Sequence, residues 1–185
     1  TEAVVAAYAD RLRVRRIVEE RPGLSFARNA GVAAARGDYI LWTDDDVTVD
    51  PGWLEAYARA IRAAPDASVY GGVVRPVLEA PTPAWLSANR AVLRHLMAEV
   101  PPRNGPIAAG DADLPYGANF AVNTRAQQAH LYDVELGASP VFNRLGEEEL
   151  VIRAVLESSG PGVWVPDAVV EHHIPAARQT LGYVE

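Results

Sequence analysis

The sequence predicts an α/β fold with an open, mostly parallel but mixed sheet, flanked by helices in a Rossmann-like arrangement. Three observations carry this expectation. From Glu2 to Val77, runs of helical and strand character alternate in the order α-β-α-β-α-β, the pattern of crossover units. One strand-like run, Tyr39 to Thr43, leads straight into Asp44-Asp45-Asp46. Like charges at a strand end repel and packing needs none of them, and the carboxyl ends of strands are where open α/β sheets bind ligands. Finally, 49% hydrophobic residues in a chain of 185 suffice for one core, so residues 1–185 are read as a single domain.

The elements follow in chain order. Glu2 to Arg11 is Ala-rich and reads as a helix. Val14 to Val18 is a short β-branched run with strand character, and Pro22-Gly23 makes a turn. Ser25 is placed to cap a helix from Phe26 to Ala35, which Gly37 stops. After the Tyr39 strand and the acids, Asp50-Pro51 starts a helix from Trp53 to Ala64, with Trp53, Leu54, Tyr57 and Ile61 as its apolar stripe. Ser68 to Val77 is a strand interrupted by Gly71-Gly72. Ala84 to about Glu99 reads as a helix, and the proline-rich stretch Pro101 to Pro115 as a loop. Gly117 to Val122 has strand character, and Thr124 can cap a short helix. Tyr132 to Leu145 is irregular. Glu147 to Leu156 is a helix opened by acids, Val163 to Val165 and Val169 to Ile174 are two short strands, and Arg178 to Val184 is a final helix.

Composition excludes several chemistries. All 17 basic residues are Arg, which removes Schiff-base lysines and the P-loop. Without Cys there are no disulfides, thiolate nucleophiles or Cys-bound zinc. The formal charge of −7 argues against a nucleic-acid partner. No apolar run approaches the roughly 18 residues of a membrane span. The expected location is the cytoplasm, with peripheral membrane association left open.

On an extended backbone Asp44 and Asp46 face one side and Asp45 the other. Two carboxylates on one side can hold a divalent cation through oxygen. The triplet is equally compatible with a solvated acidic loop. His172 and His173 follow a β-branched run near the end, and a lone His is as readily structural as a ligand.

Four stretches together resemble the inverting glycosyltransferases of family 2, which have the GT-A fold. They are RPGLSFARNAGVAAARGDYILWTDDDV (Arg21 to Val47), PYGANFAV (Pro115 to Val122), GEEELVIRAVLESSG (Gly146 to Gly160) and VPDAVVEHHIP (Val165 to Pro175). Each alone is a weak to moderate match; four in the right order are strong. The resemblance implies a nucleotide-sugar donor, a carbohydrate or other hydroxyl acceptor, and Mn²⁺ or Mg²⁺ as cofactor. It makes Asp44 and Asp46 the two acids of a DxD motif that meets the donor and the metal, with Asp45 beside them on the donor. It makes His172 a metal ligand, with His173 as alternate, and imidazole suits Mn²⁺ better than Mg²⁺. It places the acceptor base in the pair Glu147/Glu148, with Glu147 slightly ahead, at a helix N-terminus whose dipole favours the ionised form. Arg28 and Asn29 fall beside the donor diphosphate, and Gly117, Ala118 and Asn119 at the wall between sugar and acceptor. Tyr116 and Trp85 are candidates for stacking on sugar rings, although an aromatic is more often core.

The chain departs from that family in lacking its first two strands, which hold the nucleoside; it reads as a fragment at the amino end and as cut short at the other. Two other functions stay open. A sugar-phosphate nucleotidyltransferase shares the sheet and the acidic metal site, and a truncated remnant would bind metal or a partner without catalysis.

Overall fold

The computed structural model describes residues 2–139, 143–144 and 146–184. Residues 140–142 and 145, within the stretch read as irregular, lie outside them. Helix α1 (Glu2–Tyr8) is followed by extended chain from Val14 to Val18, which has no strand partner among the described residues; Val14, Ile17 and Val18 are exposed. β-Branched character favours a strand, but a strand needs a ladder to join. Helix α2 (Leu24–Ala34) starts two residues before the predicted position. Ser25 does not cap it: the side chain is buried inside the first turn, and Oγ donates to the Leu136 carbonyl at 2.8 Å.

Strand β1 (Tyr39–Trp42) leads through the acids into β2 (Val47–Val49) and helix α3 (Trp53–Ala63). Asp50 ties the entry to α3, its Oδ1 accepting the Gly52 amide at 2.8 Å. Trp53, Ala56 and Tyr57 form the buried face of α3, whereas Leu54, one residue round from Trp53, is 66% exposed. Strand β3 (Val69–Leu78) contains both glycines. The predicted Ala84 helix is broken into α4 (Ala84–Ala88), α5 (Arg90–Leu93) and a 3-10 turn, Arg94–Met97. After β4 (Pro106–Ile107) and β5 (Phe120–Asn123) comes α6 (Thr124–Ala129). Its cap is Asn123, not Thr124: the Asn123 carboxamide oxygen accepts the amides of Arg125 and Ala126. Strands β6 (Gly137–Ala138) and β7 (Asn143–Arg144) form a small separate hairpin. Helix α7 (Glu147–Ser159) begins at Gly146, held at φ 103°, where glycine is favoured. The two expected strands near the end are one, β8 (Gly162–Ile174), with its pairing to β3 interrupted where the two predicted halves meet. Helix α8 (Leu181–Val184) is the last.

The main sheet is open and mixed, in the order β1-β5-β3-β8-β2, with β4 also on β8. Its parallel share is smaller than expected. Among the described pairings only β3 with β8 is parallel; β1–β5, β3–β5, β2–β8 and β4–β8 are antiparallel. The crossover pattern misled because β5 enters between β1 and β3 running the other way. Strand β1 is at the edge of the described sheet. Helices pack on both faces. Val69, Phe120 and Val122 turn toward Val32 of α2 and Val151, Ile152 and Val155 of α7. Tyr70, Val74 and Ala121 turn the opposite way, toward Trp53, Ala56 and Tyr57 of α3. This period-2 division of β3 and β5 gives the sheet two apolar faces.

Candidate active site

The site forms where β1 ends. The chain leaves Trp42, turns through the three acids and re-enters the sheet as β2, whose Val47 lies opposite His172 of β8. That register sets Asp46 beside β8, and its carbonyl accepts the His173 amide at 2.9 Å. Along Val170–Ile174 burial alternates with the pleat, so His172 points in and His173 out. The outward His173 bonds Thr48 Oγ1 at 2.8 Å on the far face and is no alternate for the ligand. His172 is 8% exposed, and its Nδ1 lies 3.0 Å from the Met97 carbonyl. The Met97 carbonyl can only accept, so Nδ1 carries the proton of that bond, and Nε2 lies 3.4 Å from Asp46 Oδ2.

Facing this pair is a denser cluster around Arg28, on α2. Its guanidinium is buried, with Nη1 2.9 Å from Glu147 Oε1 and Nη2 3.5 Å from Asp44 Oδ1; Glu148 Oε2 lies 4.0 Å from Nη1. The cation also sits 5.3 Å from the centre of the Tyr132 ring. One positive charge thus faces three carboxylates from two ends of the fold, the β1 terminus and the α7 N-terminus. It cannot neutralise all three. Burial first, and then the neighbouring Glu148, raise the Glu147 carboxyl above its ordinary range. Burial likewise raises that of Asp44, against the opposing pull of Arg28. The helix dipole, expected to keep the pair ionised, is therefore outweighed at Glu147. Glu147 is 4% exposed and its Oε2 is buried without a hydrogen-bond partner, whereas Glu148 retains 19% of its side-chain surface. Glu148 Oε1 lies 3.4 Å from the Gly117 amide. Gly117 has no room for a side chain: an added Cβ would meet Arg28 Nη2 at 2.2 Å.

The glycosyl transferase family 2 profile matches residues 1–113. The chain belongs to that family. A relative named glucosyl-dolichyl phosphate glucuronosyltransferase, from Haloferax volcanii, is 36% identical over 58 residues, covering 31% of this chain and 18% of its own. Among solved structures, S. aureus TarS 1–349 superposes with a TM-score of 0.67 at 15% identity, over 97% of this chain and 48% of TarS. A structure of the same protein with UDP-GlcNAc gives 0.65 at 16% identity, over 94% and 46%. GalNAc-T7 with UDP, GalNAc and Mn²⁺ gives 0.59 at 17% identity, over 94% and 34%. At these identities the likeness is one of fold, the GT-A type. The chain spans less than half the length of each of these relatives.

In this family 2 chain the predicted site residues divide. Asp44, Asp46, His172, Arg28, Glu147, Glu148 and Gly117 converge on the β1 end. Asp45 is exposed on the turn. The Asn29 side chain is spent inside the fold: its Nδ2 donates to the Tyr132 carbonyl and its Oδ1 accepts the Tyr132 backbone amide, both at 2.9 Å, so it clamps the loop whose ring stacks on Arg28. Asn119 is fully buried and spends every bond inside. Its oxygen accepts from Trp53 Nε1 and Tyr57 OH, and its nitrogen donates to the carbonyls of Val73 and Ala168. Ala118 is also core. Neither side chain is free to meet a ligand; of that stretch Tyr116 alone is half-buried, and its hydroxyl bonds His95 Nδ1. Trp85 packs beside Leu86, Met97 and Ile174, so the packing role holds for it. Sequence reasoning missed Tyr132, His95 and Arg178, whose Nη1 lies 3.4 Å from Asp46 Oδ2.

A divalent cation fits Asp46 and His172 in chemistry: one hard oxygen and one imidazole, the latter oriented by a backbone carbonyl behind it. They would supply two ligands. Among the described residues no cluster of three or more His, Asp or Glu forms a complete cation site. Asp44, expected to share the metal, is turned to Arg28.

Proposed function

We propose that this chain carries the metal and acceptor half of a glycosyltransferase site. It would move a sugar from a nucleotide-sugar donor, a uridine diphosphate sugar by analogy with TarS and GalNAc-T7, to an acceptor hydroxyl, with inversion. The observation that carries the reading is the opposition of two unlike half-sites across one guanidinium. On the β1 side stand Asp46 and His172, suited to a cation; on the α7 side stands Glu148, a carboxylate with an open face. A cation held by Asp46 and His172, with diphosphate oxygens completing its shell, would stabilise charge on the leaving nucleoside diphosphate.

The residues then have separate work. Glu148 takes the proton of the acceptor hydroxyl as its oxygen bonds to the anomeric carbon. The bond from that carbon to the phosphate oxygen breaks, and its electron pair leaves with the diphosphate. Glu147 has its reachable oxygen on Arg28 and its other oxygen buried, so it fixes the helix start and does not act as base. Asp44, at the β1 end, holds the donor sugar in register with Glu148 through their shared Arg28. Family 2 membership gives the nucleotidyltransferase alternative no support. No helix among the described residues is long and apolar enough to cross a membrane; a cytoplasmic site with peripheral membrane contact accords with the reading.

The test is transfer and hydrolysis by the full-length protein with a panel of UDP-sugars, with Mn²⁺ or with EDTA. Glu148→Gln should lower turnover by about 10²–10⁴-fold while donor affinity holds. Full transfer by this variant would overturn the base assignment. Equal turnover in Mn²⁺ and EDTA would overturn the metal.

A further inference from the structure

We infer that Arg178 is a donor-diphosphate contact that rests on Asp46 until metal and donor arrive. The inference builds on the proposed metal pair and adds a residue that pair does not require. Asp46 Oδ2 is approached from two sides at the same distance, by His172 Nε2 and by Arg178 Nη1, each at 3.4 Å. Arg178 thus stands where a cation bound to that oxygen would repel it.

The backbone on either side of Arg178 is tied down while the side chain is not. Arg178 ends a 3-10 turn, Ala176–Arg178, that begins just after β8. The Ala176 amide donates to Glu79 Oε2 at 2.8 Å, and the Arg178 amide to the Pro175 carbonyl at 2.9 Å. Gln179 is buried, its side-chain Nε2 donating to the Ile174 carbonyl at 3.0 Å. The Arg178 side chain keeps 44% of its surface, and Asp46 keeps 33%. A part-exposed guanidinium on a fixed stem next to the metal position is free to swing toward solvent, and from there it would reach a diphosphate bound to that metal. Arginine matches phosphate oxygens with two parallel donors, and exchanging a carboxylate for a diphosphate adds negative charge to its partner. Metal and arginine therefore compete for Asp46 when no donor is present and cooperate when it is.

The two effects have opposite signs, which a structural role does not produce. In the full-length protein, Mn²⁺ affinity is read from the free-ion paramagnetic signal, and UDP affinity in saturating Mn²⁺ by calorimetry. Arg178→Ala should tighten Mn²⁺ alone by about twofold to fivefold, the range of a half-exposed ion pair. It should weaken UDP with Mn²⁺ by about tenfold or more, the scale of hydrogen bonds to a charged partner. Arg178→Lys, which keeps the charge but loses the fork, should fall between on both. If Arg178→Ala leaves both affinities unchanged, or weakens Mn²⁺ alone, the inference is overturned while the metal pair stands. If the unmodified protein binds no Mn²⁺, the metal pair falls with it.

Discussion

The two halves of the site are built on opposite terms. Around Arg28, charges are buried: the guanidinium and Glu147 are each nearly sealed from solvent, and a glycine is required for the guanidinium to fit. Around Asp46, the carboxylate and Arg178 are part-exposed, and one oxygen serves two neighbours. A buried charge cluster is costly to break because a removed partner leaves a bare charge in a poor solvent. A half-exposed one is cheap to rearrange because water screens it. The difference suits the proposed chemistry. The base must keep one position relative to the donor sugar, whereas the metal side must admit and release a cation and a diphosphate at every turnover.

Breaking the rigid half should have the largest effect on folding. Arg28→Met leaves Glu147 buried with no cation beside it, and should lower stability by about 3–5 kcal/mol, read from the urea midpoint. Adding Glu147→Leu to it should recover a large part of the loss, since apolar replacement of a buried pair is often neutral. A midpoint shift no larger than that of a surface arginine would show that the half is not rigid.

The same substitution logic on the other half should leave the fold alone. Asp46→Asn should alter stability by less than about 1 kcal/mol and weaken Mn²⁺ binding by about 10–100-fold, the scale seen for groups that tune a metal site. A large loss of stability with metal affinity retained would reverse the comparison. Between these lies Gly117→Ala, whose methyl group must displace the Arg28 guanidinium. It should cost about 1–3 kcal/mol, as overpacking does, and should do so less when Arg28 is already Met.

How far the sequence reached follows from the same division. The acids at the β1 end and the glutamates opening α7 stood out because each lies in a local pattern: a strand meeting like charges, and acids at a helix start. His172 was set ahead of His173 by the family resemblance alone, and the pleat that turns His172 in and His173 out is a finding of the structure. Arg28 was noticed, but its ion pair with Glu147 was not foreseen, because Glu147 is 119 residues away and no spacing announces it. Asn29 and Asn119 read as ligand contacts for the same reason: a carboxamide looks alike in sequence whether it faces a sugar or a backbone 100 residues off. The strand directions were misread because alternating elements were taken to imply crossovers, and only the insertion of β5 shows otherwise. Arg178 lies in a stretch read only as a helix, and nothing near it in sequence hints at Asp46.

The smallest expected effect sharpens the contrast through pH. Glu147 takes up its proton at a higher pH in the folded chain than its ordinary value of 4.5, first because it is buried and then because Glu148 is beside it. A carboxyl whose folded value is raised binds its proton more tightly when folded. Its contribution to stability is therefore complete below the unfolded value and is lost as pH rises through the folded one. Stability should fall with rising pH in that window, by at most about 1.4 kcal/mol per pH unit. Asp44 shifts the same way, also by burial, but 38% of its side chain is exposed and solvent screens it, so Glu147 should dominate. Asp113 works in the opposite direction: Arg103 and Arg94 hold it below the carboxylate range, so its contribution is lost as pH falls. Comparing the unmodified protein with Glu147→Gln cancels Asp113 and leaves the Glu147 contribution. Urea midpoints from pH 4.5 to 7 should show the unmodified protein losing stability relative to Glu147→Gln as pH rises. A difference that stays constant across this range would mean that Arg28 neutralises Glu147 fully, and that the half-site with three carboxylates is held at lower electrostatic cost than its geometry implies.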